Sequence, residues 1–543
     1  MNSLKGAFTR LSFVQLVIIF LMALPILALA FLALGRFSVE GGLFSRMLPV
    51  ALTETGLLLL FVGVFTAIVG LLSAWLVSSF EFPGRKLFQW AFILPLAIPT
   101  YISAYAWVEV MEFTGPIQTT IRAVTGAKTI REYWFPDIRS LEGAAIVMSL
   151  VLYPYVYLSC RAFFLMQSGA LVAASRALGA NAWRTFFAII LPLSRPALIV
   201  GVTLALMEVL NDVGAVEFFG VNSITKIVYT TWLNRSNLPG AAQLALTAIL
   251  LIGTLIWLEQ YARRRRDYLT RRDSRVPPSL IKLSMPVGLL VTAFCAGVVF
   301  LGFGVPVLEL LSTSINRVMR GALRPAIWPA FINTIMLAAG GALLCVSIGY
   351  FTARKMINRD GRGGWSFLAT FGYAVPGTIL AIGILVPLGF LDGLINDGTR
   401  AIWGVTVGLI LSGSPIAILY AYTVRFLTVS HNNIEAAMKK RGLNLLDASH
   451  ILGANKWRTL IEIDLPTLRP ALVAAMTLVF VECIKELPAT LLLRPIGLET
   501  LSTFVYAEAS IENFEAAAVP ALLIVLIALV PAILGGRLQG NHS

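Results

Sequence analysis

Apolar stretches of about 20 residues, each long enough for a helix to cross the hydrocarbon core of a bilayer, recur along the whole chain. "LVIIFLMALPILALAFLALG", residues 16–35, is one of them. Twelve such windows lie near 11–35, 56–80, 87–110, 142–166, 195–219, 241–261, 283–312, 331–352, 365–390, 401–428, 470–493 and 516–536. A chain of 543 residues has length enough for several soluble domains, but 58% hydrophobic and only 13% charged residues place it among membrane proteins. The expected fold is therefore an all-α polytopic membrane protein with about twelve transmembrane helices, six in each half.

Charge placement supports that reading. The net charge is +14, which in a soluble protein would raise nucleic acid as a partner. Here most Lys and Arg fall on the side of the N-terminus once the spans are drawn, as the positive-inside rule requires of a cytoplasmic face. Both termini are then expected in the cytoplasm, with no nucleic-acid partner. The densest block, "RRRRDYLTRRDSRVPPSLIK" at 263–282, reads as a basic cytoplasmic linker between halves 1–262 and 283–543. Ala28-Leu29-Ala30 resembles a signal cleavage site, but the apolar run continues past it to Gly35, so the first segment is expected to stay as a helix. Cys160, Cys295, Cys345 and Cys483 lie far apart in or beside spans and indicate neither a disulfide framework nor CxxC chemistry. His431, His450 and His542 show no metal-ligand spacing.

Six crossings per half return the chain to the same face, so the two halves form a parallel repeat about an axis along the membrane normal. One polar passage is written twice. "ASRALGANAWRTFFAIILPLSRPAL" runs from Ala174 to Leu198 and "ASHILGANKWRTLIEIDLPTLRPAL" from Ala448 to Leu472, and 16 of 25 positions are identical. Fainter echoes accompany it: Thr55 with Thr334, Pro99 with Pro376, and Glu208 with Glu482. Each copy falls between the fourth and fifth spans of its half and predicts helix, turn, helix. Leu178 would end a short helix, Gly179 would take the left-handed position after it, and Asn181 would cap the next helix. Leu452, Gly453 and Asn455 repeat the arrangement. Trp183, Phe186, Phe187 and Ile190 then form an apolar stripe beside Arg184, ended by Pro192; the second copy keeps Trp457, Arg458, Leu460 and Ile461 but ends its stripe on Asp464. Packing onto the chain's own bundle would account for either copy alone. Two copies with the same surface residues point instead to two identical partners.

These residues resemble the EAA loop of ABC-importer permeases: Glu-Ala-Ala, three residues, Gly, nine residues, Ile, one residue, Leu-Pro. Gly179, Ile189, Leu191 and Pro192 fit the pattern, as do Gly453, Ile463, Leu465 and Pro466. Ala173-Ala174-Ser175 and Asp447-Ala448-Ser449 stand where the name-giving triplet belongs, so its glutamates are missing. A literal Glu435-Ala436-Ala437 does not match, because Gly442 falls one residue late. The resemblance implies the type I permease fold of an importer with both permeases fused in one chain, in a bacterial inner membrane. It also implies that each loop docks on one copy of a cytoplasmic ATPase, and that a periplasmic or surface binding protein delivers the substrate. No G-x-x-x-x-G-K-[S/T] loop occurs in the sequence, so ATP and magnesium belong to the partner and this chain is a transport subunit, with no cofactor or catalytic residue of its own expected. The segments Asn211–Trp232 and Lys485–Ser510 are similar to the ferric-iron branch; fused permeases for thiamine share the layout, and those for sulfate, molybdate and phosphonates share the loop.

Ionisable residues inside a span are costly and so are functional candidates. The fifth span carries Glu208 and Asp212 and the eleventh carries Glu482 and Glu486, four apart on one helical face in each case, with Lys485 between the latter two. They either line a translocation path, offering hard oxygen groups to a trivalent cation, or pair internally, for instance with Lys485. No firm metal ligand follows from the sequence. A proton-coupled secondary transporter is the rival from another class, since twelve spans in two parallel halves also suit it; the doubled loop gives that rival no role.

Overall fold

The computed structural model describes residues 13–35, 46–166, 175, 177–266, 280–357, 372, 375–441 and 455–540. Among the described residues the regular structure is helical, apart from one short parallel pairing of Phe80–Glu81 with Ile281–Lys282. Among the described residues nine helices are long and apolar enough to cross a membrane, and ten if one bent pair counts as a single span.

The differences from twelve have local causes. The expected third span is the bent pair, Arg85–Ala97 and Thr100–Thr125, meeting at 93°; Pro99 caps the second helix at φ −56° and ψ 141° and cannot continue the first. Pro376 repeats that geometry at φ −55° and ψ 141° before the helix Gly377–Trp403; of the ninth expected span, 365–371, 373 and 374 lie outside the described residues. This helix runs to Trp403, where Gly404 turns the chain at φ 68°. The tenth expected span then begins late, as Pro415–Arg441, and is not among the helices apolar enough to count as a crossing. The twelfth lies in the 27-residue helix Phe514–Gly540.

Two compact units result. The first contains Met1–Ser38, Thr231–Leu246 and Arg324–Phe504; the second contains Val39–Thr230, Thr247–Leu323 and Val505–Ser543. The units in space therefore do not coincide with the repeat halves in sequence: the opening helices are exchanged, and Thr231–Leu246 and Val505–Ser543 each fall in the unit of the other half. Phe13–Gly35 packs in the first unit, where Gly383 faces the Pro25 carbonyl so closely that a Cβ would lie 2.2 Å from its oxygen. The Tyr420 hydroxyl donates to the Leu21 carbonyl in the same seam. In the second unit the segment Met285–Met319 packs against helices 48–166: the Thr292 hydroxyl donates to the Pro83 carbonyl at 2.8 Å, and a Cβ on Gly302 would lie 2.5 Å from the Leu150 oxygen. Small residues permit such close backbone approach where hydrophobicity alone gives helices no reason to associate. Gly383→Val is accordingly expected to loosen the first helix from its unit, at a cost of about 1–3 kcal/mol as in overpacked cores. Faster proteolysis between residues 35 and 46 in the purified variant would report it; wild-type resistance would count against this seam.

The cores are aromatic and apolar. Trp75, Phe92, Tyr153 and Tyr157 are buried in the second unit with Cys160 and Cys295; Cys345 and Cys483 are buried in the first.

Candidate functional site

The turn of the first repeated passage forms as its residues require. The Ala180 N–H bonds to the Ser175 carbonyl at 3.0 Å, closing a six-to-one helix stop, and Gly179 between them stands at φ 81°. Asn181 Oδ1 accepts the Arg184 N–H at 2.8 Å and caps the helix Ala182–Thr185. Asn455 Oδ1 accepts the Arg458 N–H at the same 2.8 Å and caps Lys456–Thr459. Ala173, Ala174, Asp447, Ala448, Ser449 and Gly453 lie outside the described residues.

Pro192 does not end the helix. In both copies one π-helical turn, Phe186–Ile190 or Leu460–Asp464, carries the chain directly into a long helix, Leu191–Asn211 or Leu465–Lys485. The Leu191 N–H reaches back to the Phe186 carbonyl and the Leu465 N–H to that of Leu460, a wider i to i−5 ring. Pro192 and Pro466 then occupy the first turn of the next helix, a position that tolerates a residue without an N–H. The polar passage and the fifth or eleventh span are thus one continuous rod.

The apolar stripe is divided. Trp183 and Phe187 are 60% and 58% exposed, whereas Phe186 and Ile190 are buried, the Phe186 ring 4.3 Å from that of Trp75. In the second copy Trp457 and Ile461 are 72% and 61% exposed and Thr459 is buried. Arg184 and Arg458 are exposed beside them, Arg458 paired with Glu462 at 2.9 Å. Ile189 and Ile463 are half-buried, as are Leu191 and Pro192, while Leu465 and Pro466 are exposed. Ser175 is buried, its hydroxyl 3.1 Å from that of Thr185. Each copy therefore offers an exposed Trp, an exposed Arg and one further apolar residue on a capped helix, a surface suited to a protein groove.

What fastens each rod differs. Ile190 is buried among apolar side chains that include Phe186 and Trp75. The corresponding Asp464 is also fully buried but meets Tyr350 Oη at 2.6 Å, Arg441 Nη1 at 2.7 Å and Arg354 Nη1 at 2.9 Å. In the sequence Asp464 reads only as the end of a stripe.

Of the four carboxylates inside the spans, two break their helix. Asp212 ends Leu191–Asn211 and caps Val213–Phe218: its Oδ1 accepts the Ala215 N–H at 2.8 Å and the Thr100 hydroxyl donates to its Oδ2. Glu486 does the same between Leu465–Lys485 and Pro488–Leu493. It accepts the N–H groups of Ala489 and Thr490, both at 3.0 Å, the Thr490 hydroxyl at 2.8 Å and Arg425 Nη1 at 2.6 Å. Internal pairing does occur, but the partner of Glu486 is Arg425, whereas Lys485 pairs with Glu482 at 3.1 Å. Arg425 and Thr100 were missed in the sequence, although an arginine in the run "ILYAYTVRFL" is itself the signal of an intramembrane partner. Glu208 and Glu482 are half-buried. Among the described residues no group of three or more His, Cys, Asp or Glu is placed to hold a metal ion.

The fainter echoes share a geometry too. Thr55 Oγ1 accepts the Ile224 N–H at 2.9 Å and Thr334 Oγ1 the Leu501 N–H at 2.8 Å.

The sequence profile of the binding-protein-dependent transport system inner membrane component matches twice, over residues 66–268 and 345–542. The chain is 26% identical to an Fe(3+)-transport system permease protein of Haemophilus influenzae, over 95% of its own length and 96% of the relative's. It is 25% identical to the ferric transport system permease protein of Actinobacillus pleuropneumoniae, over 80% of this chain and 63% of that one. The molybdenum transport system permease protein of Escherichia coli is 32% identical over 37% of this chain and 89% of its own. The double match covers both copies of the repeated helix–turn–helix and both broken spans, and this chain belongs to the binding-protein-dependent transport system inner membrane components, as a multi-pass membrane permease carrying the family domain twice.

Proposed function

We propose that this chain forms both membrane halves of an ATP-driven importer that admits iron(III) handed over by a periplasmic or surface binding protein. Two copies of a cytoplasmic ATPase would grip the two exposed helices, one on Trp183 and Arg184 and the other on Trp457 and Arg458. ATP and magnesium act in that partner, and both termini lie on its side of the membrane. The observation that carries the reading is the rod: a capped surface helix runs without a stop into a span that breaks at Asp212 or Glu486. Movement of the surface helix is then delivered directly to the middle of the bundle, as alternating access requires.

Iron is favoured because the relatives matched along most of this chain are named for ferric transport, whereas the molybdenum permease aligns with 37% of it. Asp212 and Glu486 hold the breaks in place, and the half-buried Glu208 and Glu482, the latter beside Lys485, are the carboxylates we assign to the path. Replacing both by Gln is expected to lower uptake more than either single change while leaving chain abundance unaltered. Wild-type uptake by the double variant would remove the lining role. Radiolabelled ferric uptake in iron-starved cells, with and without the chain, tests the substrate; unchanged uptake with no redundant route operating removes iron and turns attention to thiamine. Uptake that collapses with a protonophore at constant ATP would instead favour a secondary transporter.

A further inference from the structure

We propose that Asp464 is a positioning residue that latches the second coupling rod to its unit by charge, making the two rods mechanically unlike. The inference rests on the coupling role proposed above. Asp464 stands in the π-helical turn that joins the surface helix Lys456–Thr459 to the span Leu465–Lys485, the point where the rod would bend if it bent at all. Its carboxylate, 1% exposed, is shared by groups from two other helices. Tyr350 and Arg354 come from Ile327–Ile357, and Arg441 comes from the end of Pro415–Arg441.

The cluster is cross-linked internally. Arg354 Nη1 donates to Tyr350 Oη at 2.9 Å and Arg441 Nη1 to Thr467 Oγ1 at 3.0 Å, so Arg441 spans the junction from Asp464 to the first turn of the span. Each bond has a preferred direction, and together they fix the azimuth of the turn as well as its depth. In the first copy Ile190 occupies this place and packs among apolar groups, which tolerate small rotations because dispersion has little directional preference. The same push on the two rods thus meets a directional clamp in one and a sliding contact in the other. The second rod turns as one piece with the helices that hold Arg354 and Arg441.

The test uses the full chain reconstituted in proteoliposomes with its ATPase and binding protein, measuring substrate moved per ATP hydrolysed. Asp464→Asn keeps the shape and removes the charge; the ratio is expected to fall about fivefold or more with ATP hydrolysis retained. Asp464→Glu is expected to recover part of it, and Ile190→Val in the first rod to leave it near wild type. Asp464→Asn with a wild-type ratio would overturn the latch. Should that variant fail to insert, Arg441→Gln, which leaves Asp464 paired to Arg354, has to lower the ratio, and an unchanged ratio there overturns the proposal equally. If the wild-type assembly shows no ATP-dependent transport at all, the coupling reading fails, whatever Asp464 does.

Discussion

Gly179→Val is expected to abolish most transport while the chain still inserts and folds. The glycine stands at φ 81° in the helix stop, and a Cβ built there meets nothing within 4 Å. Crowding therefore plays no part, and the whole penalty is conformational: about 1–2 kcal/mol for a side chain in the left-handed region, with a β-branched residue at the upper end. The turn is exposed, so this strain relaxes locally by shifting the stop rather than by unfolding spans. A shifted stop rotates Ala182–Thr185, and with it Trp183 and Arg184, away from the direction a partner requires. At 1.4 kcal/mol per decade of affinity the strain alone gives roughly tenfold weaker docking, and misorientation adds to it. Gly179→Asn serves as the control, since asparagine enters the left-handed region readily and should retain most activity. Transport and ATPase co-purification are the measurements. Normal values for the valine variant would mean that this turn carries no coupling.

How much of this was legible in sequence depends on the range of the interaction involved. The turn at Gly179 and the caps at Asn181 and Asn455 are set by neighbours within a few residues, and they form as the spacing predicts. The spans follow from hydropathy, which a bilayer enforces residue by residue. Legibility fails where a second segment decides the outcome. Pro192 reads as a stop, yet a single wide turn makes room for it, and nothing local distinguishes the two outcomes. Phe186 and Ile190 look like part of an exposed stripe until Trp75, more than 100 residues away, covers them. The opening helix reads as part of its own repeat, whereas its close seam is with Gly383. Carboxylates at 212 and 486 were visible as expensive residues, but only the partners Thr100 and Arg425 reveal that they cap a break.

Removing one member of the Arg425–Glu486 pair is expected to be the most damaging single change to the first unit. Both side chains are buried, the guanidinium and carboxylate meet at 2.6 Å, and Gly377 lies so close that a Cβ there would be 2.6 Å from the Glu486 oxygen. Water has little room to enter and solvate a leftover charge. Arg425→Leu leaves the Glu486 carboxylate with the N–H groups of Ala489 and Thr490 and the Thr490 hydroxyl but no counter-charge. Unpairing a buried ion pair costs about 3–5 kcal/mol. In the first half the carboxylate of Asp212 holds the same kind of break, accepting from the Thr100 hydroxyl and the Ala215 N–H. Arg425→Leu combined with Glu486→Gln should recover much of the lost stability, because a neutral amide can keep part of the capping pattern without leaving a charge behind. The expected order of thermal aggregation midpoints in detergent is wild type, then the double variant, then Arg425→Leu. If the double variant is as unstable as Arg425→Leu, the loss comes from packing around residue 425 rather than from an unpaired carboxylate. If both match wild type, the pair contributes nothing to the fold, and its place beside the break would have to be explained by transport alone.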